Sequence, residues 1–430
     1  MADTKKYELI RSESIVYNGR TLYRIRALRE FTISKSVAIK VGDIGGFVES
    51  ENNLSQEGVC WLFHNSKVYG NAKVSEDAVI YNDAEVFGYA EIFGNARIYN
   101  DAKVSESAKI YGKAEIYSRA KIHDNAEVYD DAQVCGKAEI SDYAKIYGKA
   151  QIYGNADIYD KAEIFDKARI FGDAEVCDEA KVFGDSKVYD GSCIFENAEI
   201  YDNAEVFDCA KVYNNAKVFG KAQIFENAEI FDNAIVCENA KVSGCAYICG
   251  SAQVFGNAEA YDRTSIFGEA KVYGDAVIYD EATLRGSSQV YGRAVITDKA
   301  CIFGKAKIFG DSRISDDVQI YGDAEICDLE LKTGEYIHGS KEIKTLLNEL
   351  EQIKEKILFV KKAVKVNYPI GENYVDILSG KVSEYEGIYY TALERGVSIS
   401  CTLREKYLPI LNEIINEDSK LVELTKGKGV

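Results

Sequence analysis

From Val68 to Ile326 an aliphatic residue recurs at every sixth position, 44 times with no insertion, and only Ala260 is smaller than valine. A period this short and this regular leaves one class of fold, because repeats that bury their apolar face only against neighbours must stack as a solenoid. The unit reads Val/Ile, Tyr/Phe, Gly/Asp, Asn/Asp/Lys, Ala, Lys/Glu, as in the segments VYGNAK, IFGNAR and IYGKAE. Alanine two places before each aliphatic points to the same side of a short strand, since strand side chains alternate with a period of two. The Gly/Asp/Asn pair after the aromatic is turn chemistry that tolerates left-handed backbone angles. Each hexad therefore predicts one short strand and one corner.

Three hexads, 18 residues, predict one coil. Taking every eighteenth residue from Lys73 gives Lys73, Glu91, Lys109, Glu127, Lys145, Glu163, Lys181, Glu199 and Lys217, a strict alternation of sign. Stacked strands place such residues directly opposite one another, where unlike charges attract and like charges repel. At about 4.8 Å per coil the hexads predict about 14 coils and a rod on the order of 70 Å long. Three aliphatics and three alanines already fill a narrow triangular section at protein packing density, so the aromatic position is expected outside. Tyr or Phe fills 31 of its 44 occurrences, and one column, Phe93, Tyr111, Tyr129, Tyr147, Phe165, Phe183, Tyr201 and Phe219, is unbroken. Stacked rings that brace the corners are the simpler reading of these columns, and a stripe that binds a partner is the other.

The two ends lack the hexad. Residues 1–66 carry Asn18-Gly19, a hairpin signal between Ser14–Tyr17 and Thr21–Ala27, and are expected to form a small β cap over the apolar end of the solenoid. Residues 67–330 form the repeat, and residues 331–430 are expected to be α-helical. There Ile343, Leu346, Leu350, Ile353, Ile357, Val360 and Val364 make a three-heptad seam, followed by apolar-periodic stretches at 385–393 and 403–424. The seam can pack within the chain or self-associate, and association as a dimer or trimer is open.

The net charge is −18. It belongs to the repeat, where 47 acidic residues face 28 basic ones, and it opposes binding to nucleic-acid phosphates or an anionic membrane. The start, Met-Ala-Asp-Thr-Lys-Lys, has no apolar stretch after its charges, and no apolar run approaches the ~20 residues of a bilayer span, so a cytoplasmic protein is expected. The eleven cysteines include no CxxC pair and no two that are one coil apart, which reads as free thiols in a reducing compartment with no metal site. No cofactor is expected. Gly45-Gly46 reads as a tight turn in the cap, since no helix pattern follows to make a phosphate cradle.

The hexads resemble the hexapeptide-repeat superfamily, and the resemblance implies a left-handed parallel β-helix of triangular section, a fold that includes many trimeric acyltransferases. The segments ALREF and VGDIGGFVESENNLSQEGVCWLF, with the first repeat VYGNAKV, are similar to the N-terminal block of YdcK-like proteins of bacteria and phages. That likeness spans residues from about 20 to 328. Acyltransferases of the superfamily use a histidine general base and often an inserted loop. This chain has no inserted loop within the hexads, and of its three histidines, His64, His123 and His338, only His123 lies in the coils, at a corner. His123 is a weak catalytic candidate.

The acids are more informative. Of the 47 in the repeat, 33 occupy the two corner positions, against 11 lysines and arginines. One corner runs Glu106, Asp124, Asp142, Asp160, Asp178 and Glu196, and the aromatic column beside it is broken by Ser105, His123, Ser141 and Cys177. Turn preference accounts for part of this acidity. The leading expectation is a non-enzymatic solenoid whose acidic corner binds a protein with a basic surface. The alternatives are an acidic imitation of a nucleic-acid duplex that inhibits a nucleic-acid-binding or defence protein, and a trimeric acyltransferase.

Overall fold

The computed structural model of the chain describes residues 5–332 and the backbone of Tyr336–His338. The helical region expected over 331–430, with its seam from Ile343 to Val364 and its stretches at 385–393 and 403–424, lies outside the described residues beyond Lys332, apart from that three-residue strand. The chain divides into two units, Met1–Glu226 and Asn227–Val430.

The first unit opens on an antiparallel cap. Strands β1 (Tyr7–Tyr17) and β2 (Arg20–Ala27) form the hairpin that Asn18-Gly19 signals, with both turn residues left-handed at φ 48° and 73°. The hairpin is longer than expected, since β1 begins at Tyr7 and stays paired with β2 across a register shift between Ile10 and Ser14. A short hairpin of β3 (Phe31–Ser34) and β4 (Val37–Ile39) follows. β5 (Ile44–Val48) then pairs antiparallel with β2 on one edge and parallel with β7 (Lys67–Val68) on the other. That switch of direction converts the cap into the solenoid.

The first coil precedes the first hexad. Leu54 bridges to Val74, and β6 (Trp61–Leu62) pairs with Val79–Ile80, both in parallel, so residues 44–66 already wind as a coil although they lack the repeat. The solenoid has about 16 turns where the hexads alone predict about 14. Gly45 and Gly46 lie inside strand β5 and not in a turn, which corrects the expectation. A Cβ on Gly45 would meet Ile25 Cγ1 at 2.5 Å and the Leu62 carbonyl at 2.7 Å, so these glycines permit close strand packing.

Within each unit the short hexad strands pair in parallel with strands 18 residues away, as Glu91–Ile92 does with Lys73–Val74 and Lys109–Ile110. Three such ladders run through the first unit, and the same register holds in the second, where Ala260 stacks between Val242 and Ile278. The charge alternation from Lys73 to Lys217 is a physical ladder: every successive pair is in register. Inside, the aliphatic and alanine positions are fully buried, as at Ala144, Ile146, Ala150 and Ile152. Each aliphatic contributes about 1.5–3 kcal/mol by its removal from water. Serine or threonine replaces alanine at several positions, and although the buried Ser288 hydroxyl has no hydrogen-bond partner, those of Ser186 and Thr264 donate to a carbonyl three residues back, Phe183 at 2.7 Å and Tyr261 at 2.8 Å. That bond removes the cost of an unpaired hydroxyl in the core.

The expected ring column is present. From Phe93 to Phe219 successive rings stack at 4.7 to 5.0 Å, within 8° of parallel. This spacing is the rise of one coil. A second stack in the second unit runs Phe255, Tyr273, Tyr291 and Phe309.

Candidate functional site

The corner from Glu106 to Glu196 is built by the backbone before it is built by charge. The first residue of every corner has a positive φ, and in this column the values are 54° to 57° for all six acids. Left-handed angles crowd the Cβ of most residues, while Gly, Asn and Asp tolerate them best. Consecutive corners are joined by short backbone bonds: Ser107 N–H donates to Asp124 O at 2.7 Å, Asn125 to Asp142 at 2.7 Å, Tyr143 to Asp160 at 2.7 Å, and Glu179 to Glu196 at 2.9 Å. The six carboxylates predicted from sequence spacing are therefore one column, a coil apart.

These acids also serve the next coil. At several corners the carboxylate one coil earlier accepts the N–H of the first corner residue. Asp178 Oδ2 accepts from Glu196 N–H at 3.0 Å, and Asp142 Oδ2 makes a long contact with Asp160 N–H at 3.4 Å. The same bond recurs elsewhere in the first unit, from Gly148 N–H to Asp130 at 3.2 Å and from Gly184 N–H to Asp166 at 3.3 Å. Turn chemistry thus explains more of the corner acidity than backbone preference alone.

Beside the acids, the broken ring column places small or polar groups. His123 stands between two carboxylates, its Nδ1 2.7 Å from Asp124 Oδ2 and its Nε2 3.0 Å from Glu139 Oε1. Burial pulls its pKa down, but the hydrogen bonds to Asp124 and Glu139 and their charges outweigh this and raise it. Lys121 bonds the other oxygen of Glu139 at 2.9 Å, and that bond, opposed by burial and helped by His123, holds Glu139 below the usual carboxylate range. Asp157 is pushed up, by burial first and then by Glu139 and Glu175. A general base needs a ring nitrogen facing its substrate, whereas here both nitrogens are engaged. In this arrangement His123 braces the corner.

Tyr159 is the one ring left in this stretch, and its hydroxyl donates to Glu175. Burial pushes the Cys177 thiol up to about 11, which makes it a poor nucleophile. On the same corner Tyr143 is 60% exposed and Tyr89 64%, two large apolar rings turned to solvent. Lys161 pairs with Glu179 at 3.0 Å, so the second corner position is partly neutralised.

Of the other histidines, His64 takes a left-handed corner with φ 53° and lines an open polar groove with Asn82, Asn100 and Arg119, away from the acid column. His338 has only its backbone described. Among the described residues no group of three or more His, Cys, Asp or Glu is set to hold a metal, every cysteine is a free thiol, and no helix is long and apolar enough to cross a membrane.

The sequence reading missed two polar contacts that tie the cap to the coils. Lys6 is fully buried, and its Nζ bonds Glu57 O at 3.1 Å, Cys60 O at 3.0 Å and Cys60 Sγ at 3.1 Å. Glu85, in register with Lys67 and Lys103, is 8% exposed because Tyr17 of the hairpin covers it and donates to it at 2.6 Å. Neither carries a local signal, since both depend on contacts across about 50 to 70 residues of chain.

The parallel solenoid with 18-residue turns agrees with the repeat β-helix class. No family model matches the chain, and no curated protein matches it.

Proposed function

We propose that the chain is a non-enzymatic scaffold whose corner from Glu106 to Glu196 docks a basic segment of a partner protein. The observation that carries this reading is the run of six acids in six consecutive coils beside a broken ring column. Glycine or asparagine would satisfy the left-handed backbone at each position without charge, and glycine does so through much of the rest of the solenoid. Glutamate at 106 and 196 is not a favoured left-handed residue at all. Carboxylates a coil apart repel by about 0.9 kcal/mol per neighbouring pair in water before salt screening, a cost that the backbone bonds accepted by Asp142 and Asp178 offset only in part. A lysine- or arginine-rich segment would relieve that repulsion, and Tyr143 beside it supplies the exposed ring common at protein interfaces.

The narrower kinship with YdcK-like proteins, and the left hand of the coil, belong to this same proposal and rest on the N-terminal block and the hexads. A column of acids could equally occupy a protein that binds nucleic acid, and the identity of a captured partner decides between these. The acyltransferase reading predicts acyl-CoA turnover that His123→Ala abolishes.

The test is binding of a labelled Lys/Arg decapeptide by fluorescence anisotropy. The triple change Asp124/Asp142/Asp160→Asn keeps residues that accept left-handed angles and removes three charges. It is compared with Asp130/Asp166/Asp202→Asn, which removes the same charge from another corner. Loss of about tenfold or more in affinity for the first variant alone supports the reading. Equal effects of the two, or none, reduce the column to turn chemistry.

A further inference from the structure

One face of the first unit is complementary to itself. Its outward side chains are the ladder from Lys73 to Lys217, whose sign reverses at every coil, and beside it the stack of rings from Phe93 to Phe219, all partly exposed. Among the described residues the only lysine of this ladder with an ion pair is Lys217, to Glu199 at 2.8 Å. Elsewhere a tyrosine from the coil before takes the carboxylate, as Tyr111 donates to Glu127 at 3.2 Å. Lys73, Lys109, Lys145 and Lys181 are exposed and have no carboxylate within ion-pair distance.

We propose that this face binds a second copy of the chain, antiparallel, about a two-fold axis that crosses the ladder midway between Lys145 and Glu163. An axis in the plane of contact and perpendicular to the ladder keeps each side chain at its lateral position. Ladder then meets ladder, and ring stack meets ring stack. With the axis midway between two rungs, Lys145 lies opposite Glu163 of the second copy and Glu127 opposite Lys181, and the alternation carries the match outward to Glu91 and Lys217. An axis through a rung, or parallel alignment in register, sets like charge against like at every rung, which is costly. The contact is isologous, so one complementary relationship is used twice.

The face suffices for a modest dimer. Nine coils at about 4.8 Å and a width of about 15 Å give roughly 600 Å² per copy, near the lower bound for specific association. Individual exposed ion pairs contribute little. Their alternation selects the register, while burial of the rings supplies attraction.

Sedimentation velocity of the full chain at physiological ionic strength, up to ~100 µM, tests the proposal. Dimer is expected for the native chain. Lys145→Glu/Lys181→Glu weakens it by at least about tenfold, and so does Glu127→Lys/Glu163→Lys. The second variant lowers the net negative charge, so general repulsion cannot explain its loss. Mixed one to one, the two variants restore a dimer, because every reversed rung meets an opposite charge. Monomer alone throughout, a trimer, a dimer indifferent to both variants, or a mixture that stays monomeric overturns the proposal.

Discussion

Asp178 Oδ2 accepts the backbone N–H of Glu196 at 3.0 Å, so a side chain at one corner completes the hydrogen bonding of the corner one coil later. Asp178 is left-handed at φ 57°, and its role divides into two parts that substitution can separate. Asp178→Asn keeps both the backbone preference and an oxygen acceptor, and is expected within about 0.5 kcal/mol of the native chain. Asp178→Ala loses both and costs about 2–3 kcal/mol, from about 1–2 for the left-handed Cβ and about 1 for the bond. Faster hydrogen exchange at the Glu196 amide in the alanine variant alone is the expected readout.

The interior predicts a larger effect. Ile146 is fully buried between Val128 and Ile164 of the adjoining coils. Ile146→Ala leaves a cavity in a section too narrow to collapse, and is expected to cost about 2–5 kcal/mol in urea unfolding. Ile146→Val is expected to cost about 0.5–1.5 kcal/mol.

His123 and Glu139 link the acid corner to pH. The His123 pKa is raised on folding, so its contribution is complete below the ordinary histidine value of about 6.5 and is lost as pH rises through the folded value. That of Glu139 is lowered, so its contribution is complete above the ordinary glutamate value of about 4.5 and is lost as pH falls through the folded value. Both act together between about pH 4.5 and 6.5. Thermal unfolding across pH should show His123→Gln removing the decline on the alkaline side of that window and leaving the acid limb. An unchanged alkaline limb in the variant would show that another group sets it.

Lys6 holds two backbone carbonyls and a thiol in a fully buried site. Lys6→Met fills the volume but leaves the Glu57 and Cys60 carbonyls short of a donor, a cost of about 1–3 kcal/mol for each one left unpaired. Hydrogen exchange should rise through β1 and the first coil, with the coils around Ile146 unaffected.

Two cap glycines should respond for different reasons. Gly19 is left-handed with open space around its Cβ position, so Gly19→Ala is expected to cost only the backbone term, about 1–2 kcal/mol. Gly45 has no such angle but is pressed against Ile25 and the Leu62 carbonyl. Gly45→Ala is expected to cost more, with thermal unfolding of the pair as the measure, because one of those contacts is backbone and cannot yield easily.

Much of this architecture is legible along the chain because each coil repeats the same contacts at a constant separation. A residue such as Glu127 meets Lys109 and Lys145 at a distance of 18 positions, and the alternation of charge records that neighbour relationship directly. The ring column and the buried alanines follow from the same period. The acid corner was visible as a list of residues, but not its second role, since a hydrogen bond that Asp178 accepts from the Glu196 amide leaves no pattern distinct from turn preference.

The period of six, the coil of 18 and the stacking order of charges and rings are properties of the sequence alone, because a strict repeat admits only one way for neighbouring units to bury their apolar sides. The early start of winding at β5, the burial of Lys6 and Glu85, and the clasp of Asp124 and Glu139 on His123 are properties of the tertiary structure. Lys6 and Glu85 meet partners about 50 to 70 residues away, and His123 departs from the ring column it interrupts, so desolvation and hydrogen bonding there depend on neighbours that the period does not encode.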